Sequence, residues 1–309
     1  MLIWELLGTV IGAGFASGRE IATFFAQFGT WGYAGAIIAA FAMVWLADAK
    51  MPNAGEKILL SWLFKGLITL MLITTAGAML SGSSEIAALV LPFQFSRWIG
   101  LVTTLAVAWW LAYHTDSGLA WLGRGLLAIL FVLLLAALSL PGSNTAVLAE
   151  STPLQALSRS LCYSGFNAAL LIPVLQKRHS GRYKASLIGM GGIFASLLCV
   201  GNLAFRLHPE ILHESMPFVA LTNQLGKTGF YLCALCLYMS ILSTLTACLR
   251  SLGKNWLALA CVLIVSLFGF GAVVEHAYTF VGALCFILLL IAKFLNCSGR
   301  AFISQTNML

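Results

Sequence analysis

Apolar stretches of bilayer-spanning length, about 20 residues, follow one another along this chain at 2–26, 31–50, 58–82, 97–113, 119–140, 156–176, 184–206, 228–250, 255–272 and 276–296. Hydrocarbon offers no partner to a peptide group, so each stretch has to close its own hydrogen bonds as a helix. The chain is 61% hydrophobic and 9% charged over 309 residues, where soluble domains carry roughly 25% charge. Too little remains between the stretches for a soluble domain. The expected fold is therefore all-α and polytopic, with ten transmembrane helices in a single domain embedded in a lipid bilayer. A net charge of +7 needs no nucleic acid to explain it. The first stretch lacks a basic n-region and a small-residue cleavage site, so it reads as a retained helix.

The distribution of charge orients the chain. With both termini on one side, that side collects Lys50, Lys57, Lys65, Arg124, Lys177, Arg178, Arg182, Lys184, Arg250, Lys254, Lys293 and Arg300. The other side keeps Arg19, Arg97, Arg159, Arg206 and Lys227. Positive residues accumulate in the cytoplasm, so both termini are expected there, most naturally in a bacterial inner (cell) membrane.

The first stretch is not an ordinary lipid-facing helix. Gly8, Gly12, Gly14 and Gly18 crowd it, and each glycine costs about 1 kcal/mol against Ala inside a helix. Arg19 and Glu20 then place two charges in an apolar segment, where ionisable groups are usually functional. Unpaired backbone survives at membrane depth only when buried in protein or lining a cavity. The segment is expected to break near mid-membrane and to form part of a solute or ion site.

The turn-rich segment from Pro141 to Pro153 divides the ten stretches into five and five, giving halves of about 1–140 and 155–300. An odd number per half makes the second run opposite to the first, as in an inverted-topology repeat. The sixth stretch should then be interrupted like the first, and Tyr163-Ser164-Gly165-Phe166-Asn167 at its middle is the expected break. Between stretches seven and eight, residues 215–226 predict a short amphipathic helix over the outer mouth, capped by Ser215, opened by Pro217 and ended by Gly226. It is either a lid or a plain surface helix.

In stretch eight, Ser240, Ser243 and Thr244 stand at i, i+3 and i+4 and share one helical face. Hydroxyls joined to the free carbonyls of a broken helix make an oxygen cage for a small monovalent cation. The same triplet also suits ordinary hydrogen bonding within and between membrane helices. Cys233 and Cys236 read as packing residues, and no cysteine falls in an external loop as a disulfide framework would require. The five histidines show no metal-ligand spacing, and no nucleophile–base pair appears, so an enzyme is not expected.

The run Gly8-Thr9-Val10-Ile11-Gly12-Ala13-Gly14-Phe15-Ala16-Ser17-Gly18-Arg19-Glu20-Ile21 resembles the opening signature of the YkvI-type membrane protein family, within the amino acid–polyamine–organocation transporter superfamily. The resemblance implies the LeuT-type fold, with spans one and six discontinuous at the substrate. It implies Gly12, Ala13, Gly14 and Phe15, with Tyr163, Ser164, Gly165, Phe166 and Asn167, around a small organic solute such as an amino acid. It also implies Na⁺ as coupling ion, held by the carbonyls of Gly8 and Ile11 with Ser240, Ser243 and Thr244, and no other cofactor. Arg19, Glu20 and Glu275 are expected at the outer gate, Arg19 pairing either with Glu275 or locally with Glu20. Lys65 and Arg124, inside spans three and five, read as snorkelling residues; in some sodium-independent relatives a basic residue on span five replaces the cation, a role for which Arg124 lies too close to the inner end.

The expected function is secondary active transport by alternating access, a sodium-coupled symport of an amino acid or similar solute. The alternatives are a proton-coupled or ion-independent carrier of the same fold, or a ligand-sensing receptor that does not transport.

Overall fold

The computed structural model describes residues 2–48, 58–114, 120–142, 152–176 and 183–306. Lys50, Lys57, Lys177, Arg178, Arg182 and the segment 143–151 lie outside the described residues, as do the side chains of Arg124 and Arg300. Every regular element among the described residues is helical. The first segment is divided into α1 (Leu2–Val10), α2 (Ala13–Ala16) and α3 (Arg19–Phe24). Then come α4 (Trp31–Ala47), α5 (Ile58–Val90), α6 (Ser96–His114), α7 (Ala120–Ala137), α8 (Pro153–Gln176) and α9 (Tyr183–Leu207). The chain closes with α10 (Pro217–Asn223), α11 (Lys227–Leu252), α12 (Trp256–Ser266), α13 (Phe270–Ala272), a π-helical turn at Val273–Ala277, and α14 (Tyr278–Thr306).

Four helical stretches among the described residues are long and apolar enough to cross a membrane: Trp62–Val90, Tyr183–Leu207, Lys227–Leu252 and Phe270–Leu295. Their outer faces carry large apolar side chains in the open, Trp62, Ile188, Leu235 and Phe280 among them. In water such surface would be a liability; against lipid tails it is the ordinary outside of a helix.

Between helices the packing relies on small residues. One face of α4 presents Gly32, Gly35, Ala36, Ala39 and Ala40, all buried, and α8 lies against it. A Cβ at Gly35 would strike the Ser160 hydroxyl on α8, and one at Gly191 on α9 would strike Val44. Close backbone approach of this kind is how helices associate where no hydrophobic drive exists between them. The other main contacts join α5 to α6, α11 and α12, α11 to α6 and α7, α9 to α1, α3 and α4, and α14 to α5 and α8.

Three local expectations need correction. The sixth stretch does not break: α8 runs unbroken through Tyr163–Asn167. Ser164 Oγ donates to the Leu161 carbonyl (2.8 Å) and Asn167 Nδ2 to the Tyr163 carbonyl (3.0 Å), so these polar groups turn back onto their own helix. Gly165 serves a close crossing instead, because its absent Cβ makes room for the Gly282 carbonyl and Phe286 of α14. Helix α5 continues past 82 to Val90, with Ser83 and Ser84 donating to the carbonyls of Leu80 and Ser81 (both 2.7 Å). Helix α10 is sunk into the protein, with Pro217, Phe218, Val219, Leu221 and Thr222 all buried. Pro217 opens it as expected, but Ser215 does not cap it, and Gly226 (φ 94°) precedes α11 where it was expected to end α10.

Candidate functional site

The first segment is interrupted twice within eight residues. At the first break, the Gly12 amide donates to the Val10 carbonyl (3.0 Å), where a continuous helix would give it the carbonyl of Gly8. Gly12 is extended (φ −89°, ψ −170°), and the ladder restarts with Ala16 N–H donating to the Gly12 carbonyl (3.0 Å). At the second break, Gly18 takes the left-handed conformation (φ 79°) that side chains resist. Ser17, fully buried, holds this bend: its Oγ donates to the Gly14 carbonyl (2.7 Å) and accepts the Arg19 amide (3.2 Å). The Ser17 carbonyl, left free by the bend, accepts the amide of Phe218 at the start of α10 (2.9 Å). Helix α10 thus seals a break that the sequence does not announce.

Each glycine of the segment has its own neighbour. A Cβ at Gly12 would lie 3.8 Å from Thr244 Oγ1, so the first break faces α11 at the expected hydroxyl. Ser243 Oγ donates to the Ser240 carbonyl (2.9 Å), and both residues are half-buried. Gly8 is exposed, with nothing close to it, while Ile11 is buried. A Cβ at Gly14 would overlap the carboxyl of Glu20, which folds back from α3 over the Gly14 backbone.

Glu20 is 6% exposed and accepts a hydrogen bond from the Tyr163 hydroxyl on α8 (3.0 Å). Tyr163, 2% exposed, packs its ring on Phe24 and Phe25 (both 5.1 Å) and stacks on Phe194 (6.2 Å), which also meets Phe15 (5.9 Å). Phe15 and Tyr163 are therefore brought to one aromatic cluster beside the breaks. Phe166 stacks on Tyr278 of α14 (4.4 Å) and Gly165 faces the same helix. Of the residues expected on the sixth segment, Tyr163 is the one that bonds to the broken helix.

Arg19 and Glu20, adjacent in sequence, go different ways. Arg19 Nη2 pairs with Glu275 Oε2 at 3.1 Å, and Nη1 donates to the carbonyls of Leu212 and Glu214 (each 3.2 Å). Arg159 donates to the Glu275 carbonyl (3.2 Å) and to Thr279 Oγ1 (2.6 Å), fixing the π-helical turn from the other side. The Arg19–Glu275 contact expected from the sequence is present; Glu20 is turned away from it, into the protein.

Glu85 is a member of this end that sequence reasoning missed. Its Oε1 accepts the Phe270 amide (3.0 Å), capping α13. With the third stretch ended at 82, Glu85 fell in a loop; a carboxylate three residues after an apolar run was the available signal. Lys65 is exposed on α5, as a snorkelling residue would be. Among the described residues no group of three or more His, Cys, Asp or Glu side chains is placed to hold a metal ion. No protein-family model matches the chain, and no curated protein matches it.

Proposed function

We propose that the chain is a secondary active transporter of the LeuT type, moving an amino acid or similar small organic solute by alternating access. Ten membrane spans in a five-plus-five inverted repeat, with both termini in the cytoplasm, complete the reading. The observation that carries it is the first segment, broken at Gly12 and at Gly18 with both breaks held in protein. Irregular backbone at membrane depth belongs to solute and ion pathways. A short helix hinged at both ends also has the freedom to swing that alternating access requires.

Part of the packing supports the repeat: under a shift of five segments, the second on the sixth becomes the seventh on the first, and the third on the ninth becomes the eighth on the fourth, while the third–fourth contact has no counterpart of its size between the eighth and ninth. The second meets the seventh and the third meets the eighth, contacts that map onto themselves. The continuous α8 departs from the LeuT pattern, so the mobile backbone rests with the first segment alone.

Sodium fits the oxygen chemistry here. Gly12 turns its amide from the Gly8 carbonyl, and Thr244 stands against the same turn. The carbonyls of Gly8 and Ile11 with Ser240, Ser243 and Thr244 would hold the ion, tying the first segment to α11. The Arg19–Glu275 pair closes the external end in this arrangement. Uptake of radiolabelled amino acids into proteoliposomes tests the reading. Accumulation under an inward sodium gradient, reduced at least tenfold by Thr244→Ala with Ser243→Ala, is expected. No accumulation under either a sodium or a proton gradient would overturn it.

A further inference from the structure

Glu20 has no place in the sodium cage or in the closed external end. Its carboxyl sits over Gly14, in a notch that exists because residue 14 has no side chain, and it takes one hydrogen bond from Tyr163. Among the described residues no Lys, Arg or His side chain pairs with it. The groups around it are accountable. Tyr163 of α8 and Tyr278 of α14 are the phenols within its electrostatic reach. Arg19 and Glu275 are engaged with each other, and His276 of the same turn is exposed. Arg206 of α9 lies over the Tyr33 ring (5.4 Å), and neither α2 nor α10 carries a titratable side chain. A carboxylate shut away from water with one donor and no cation is strongly disfavoured, and a neutral acid is not.

We infer that Glu20 is a proton-binding site, occupied when the first segment lies closed against α8 and emptied when that segment swings away. The inference rests on the transporter reading and adds the proton as an ion that the cycle binds and releases. With the acid neutral, α3 and Tyr163 close over the Gly14 notch without burying a charge. Loss of the proton leaves a carboxylate that draws in water and parts the two helices. The breaks at Gly12 and Gly18 flank the notch, so protonation acts on the part of the segment that they set off from the rest. Each turnover takes a proton onto the carboxylate and returns it to water, with no other bond changed.

Infrared difference spectra of the full-length protein in lipid bilayers, titrated with acid and base, test the site without any solute. The carbonyl stretch of a protonated carboxylic acid should appear as pH falls, vanish in Glu20→Gln and persist in Glu85→Gln. Tyr163→Phe, which keeps the ring, should retain the band at a changed frequency because its hydrogen bond is gone. A band unaltered by both Glu20→Gln and Tyr163→Phe overturns the inference. So does a band removed by sodium at constant pH, which would make Glu20 a sodium ligand. A pH-sensitive dye trapped in proteoliposomes separates this from the wider reading. Proton movement with amino acid uptake, reduced at least tenfold in Glu20→Gln, supports both. Uptake without proton movement, unchanged in Glu20→Gln, overturns the inference and leaves the transporter standing. The titrating band without uptake under any gradient supports the site and removes the transporter.

Discussion

At Gly18 two costs fall on one atom. Its φ of 79° is disfavoured by any Cβ, and a Cβ there would also run into the Phe205 ring and the Phe218 amide. Gly29 (φ 58°, ψ −128°) carries backbone strain of its own with no packing cost, because nothing lies near its absent Cβ. Gly29→Ala should lose about 1–3 kcal/mol through backbone strain alone. Gly18→Ala should lose about 1–2 kcal/mol of left-handed strain and a further ~1–3 kcal/mol of overpacking, and should disturb the docking of α10. Apparent unfolding midpoints in one detergent check the order, wild type above Gly29→Ala above Gly18→Ala. Equal midpoints for the two variants would mean that Gly18 is a turn residue and not a contact between α3, α9 and α10. Ser17 shows the same economy of parts, since one hydroxyl and one carbonyl serve three segments of chain.

At the scale of the helices, the crossing of α8 and α14 depends on Gly165, which faces the Gly282 carbonyl, and Gly282, which faces the Cys162 carbonyl. Gly165→Ala should force the helices apart at a cost of about 1–3 kcal/mol. Gly66→Ala, in the open on α5 with nothing beside it, should be neutral or stabilise by up to ~1 kcal/mol through helix propensity. Thermal unfolding of the two variants in detergent reads the contrast, and a Gly165→Ala protein as stable as Gly66→Ala would remove the crossing as a determinant of the fold. This pair also explains what the sequence disclosed. The break at Gly12 was legible because glycines and charges interrupt an otherwise apolar run, and Arg19–Glu275 was legible because buried charges need partners. Gly165 and Asn167 were misread as a second break, since a glycine that admits a neighbouring helix looks the same in one dimension as a glycine that ends its own. The opposite error befell residues 83–85, where Ser83 and Ser84 suggest a loop until their hydroxyls are seen bonded inside α5. Glu20 was legible as a functional charge, but its separation from Arg19 is a matter of rotation about α3 that only packing decides.

The whole molecule has two chemically distinct ends. At one, Lys184 pairs with Asp48 (3.7 Å), Tyr183 donates to the same carboxylate (2.7 Å), and Lys293 lies over the Trp45 ring (4.4 Å). There too Arg250 caps α6 through the Ala112 carbonyl (3.1 Å), beside Lys254 over the Tyr113 ring (5.3 Å). The other end gathers Arg19, Arg159 and Arg206 with Glu85, Glu214 and Glu275, so its positive charge is largely offset. A bilayer that retains positive residues on the cytoplasmic side should hold the first end inward. Thr30, Phe95 and Ser251 are exposed at junctions between helices and report which end is which. With an impermeant maleimide on intact cells, Thr30→Cys and Phe95→Cys should label above the parent chain, and Ser251→Cys should label only after the membrane is opened. Reversal of the pattern would turn the protein over and place the Arg19–Glu275 pair at the cytoplasmic end. Labelling of all three from one side would deny that the helices between them cross, and with it the shared depth at which Gly12, Thr244, Glu20 and Tyr163 have to meet.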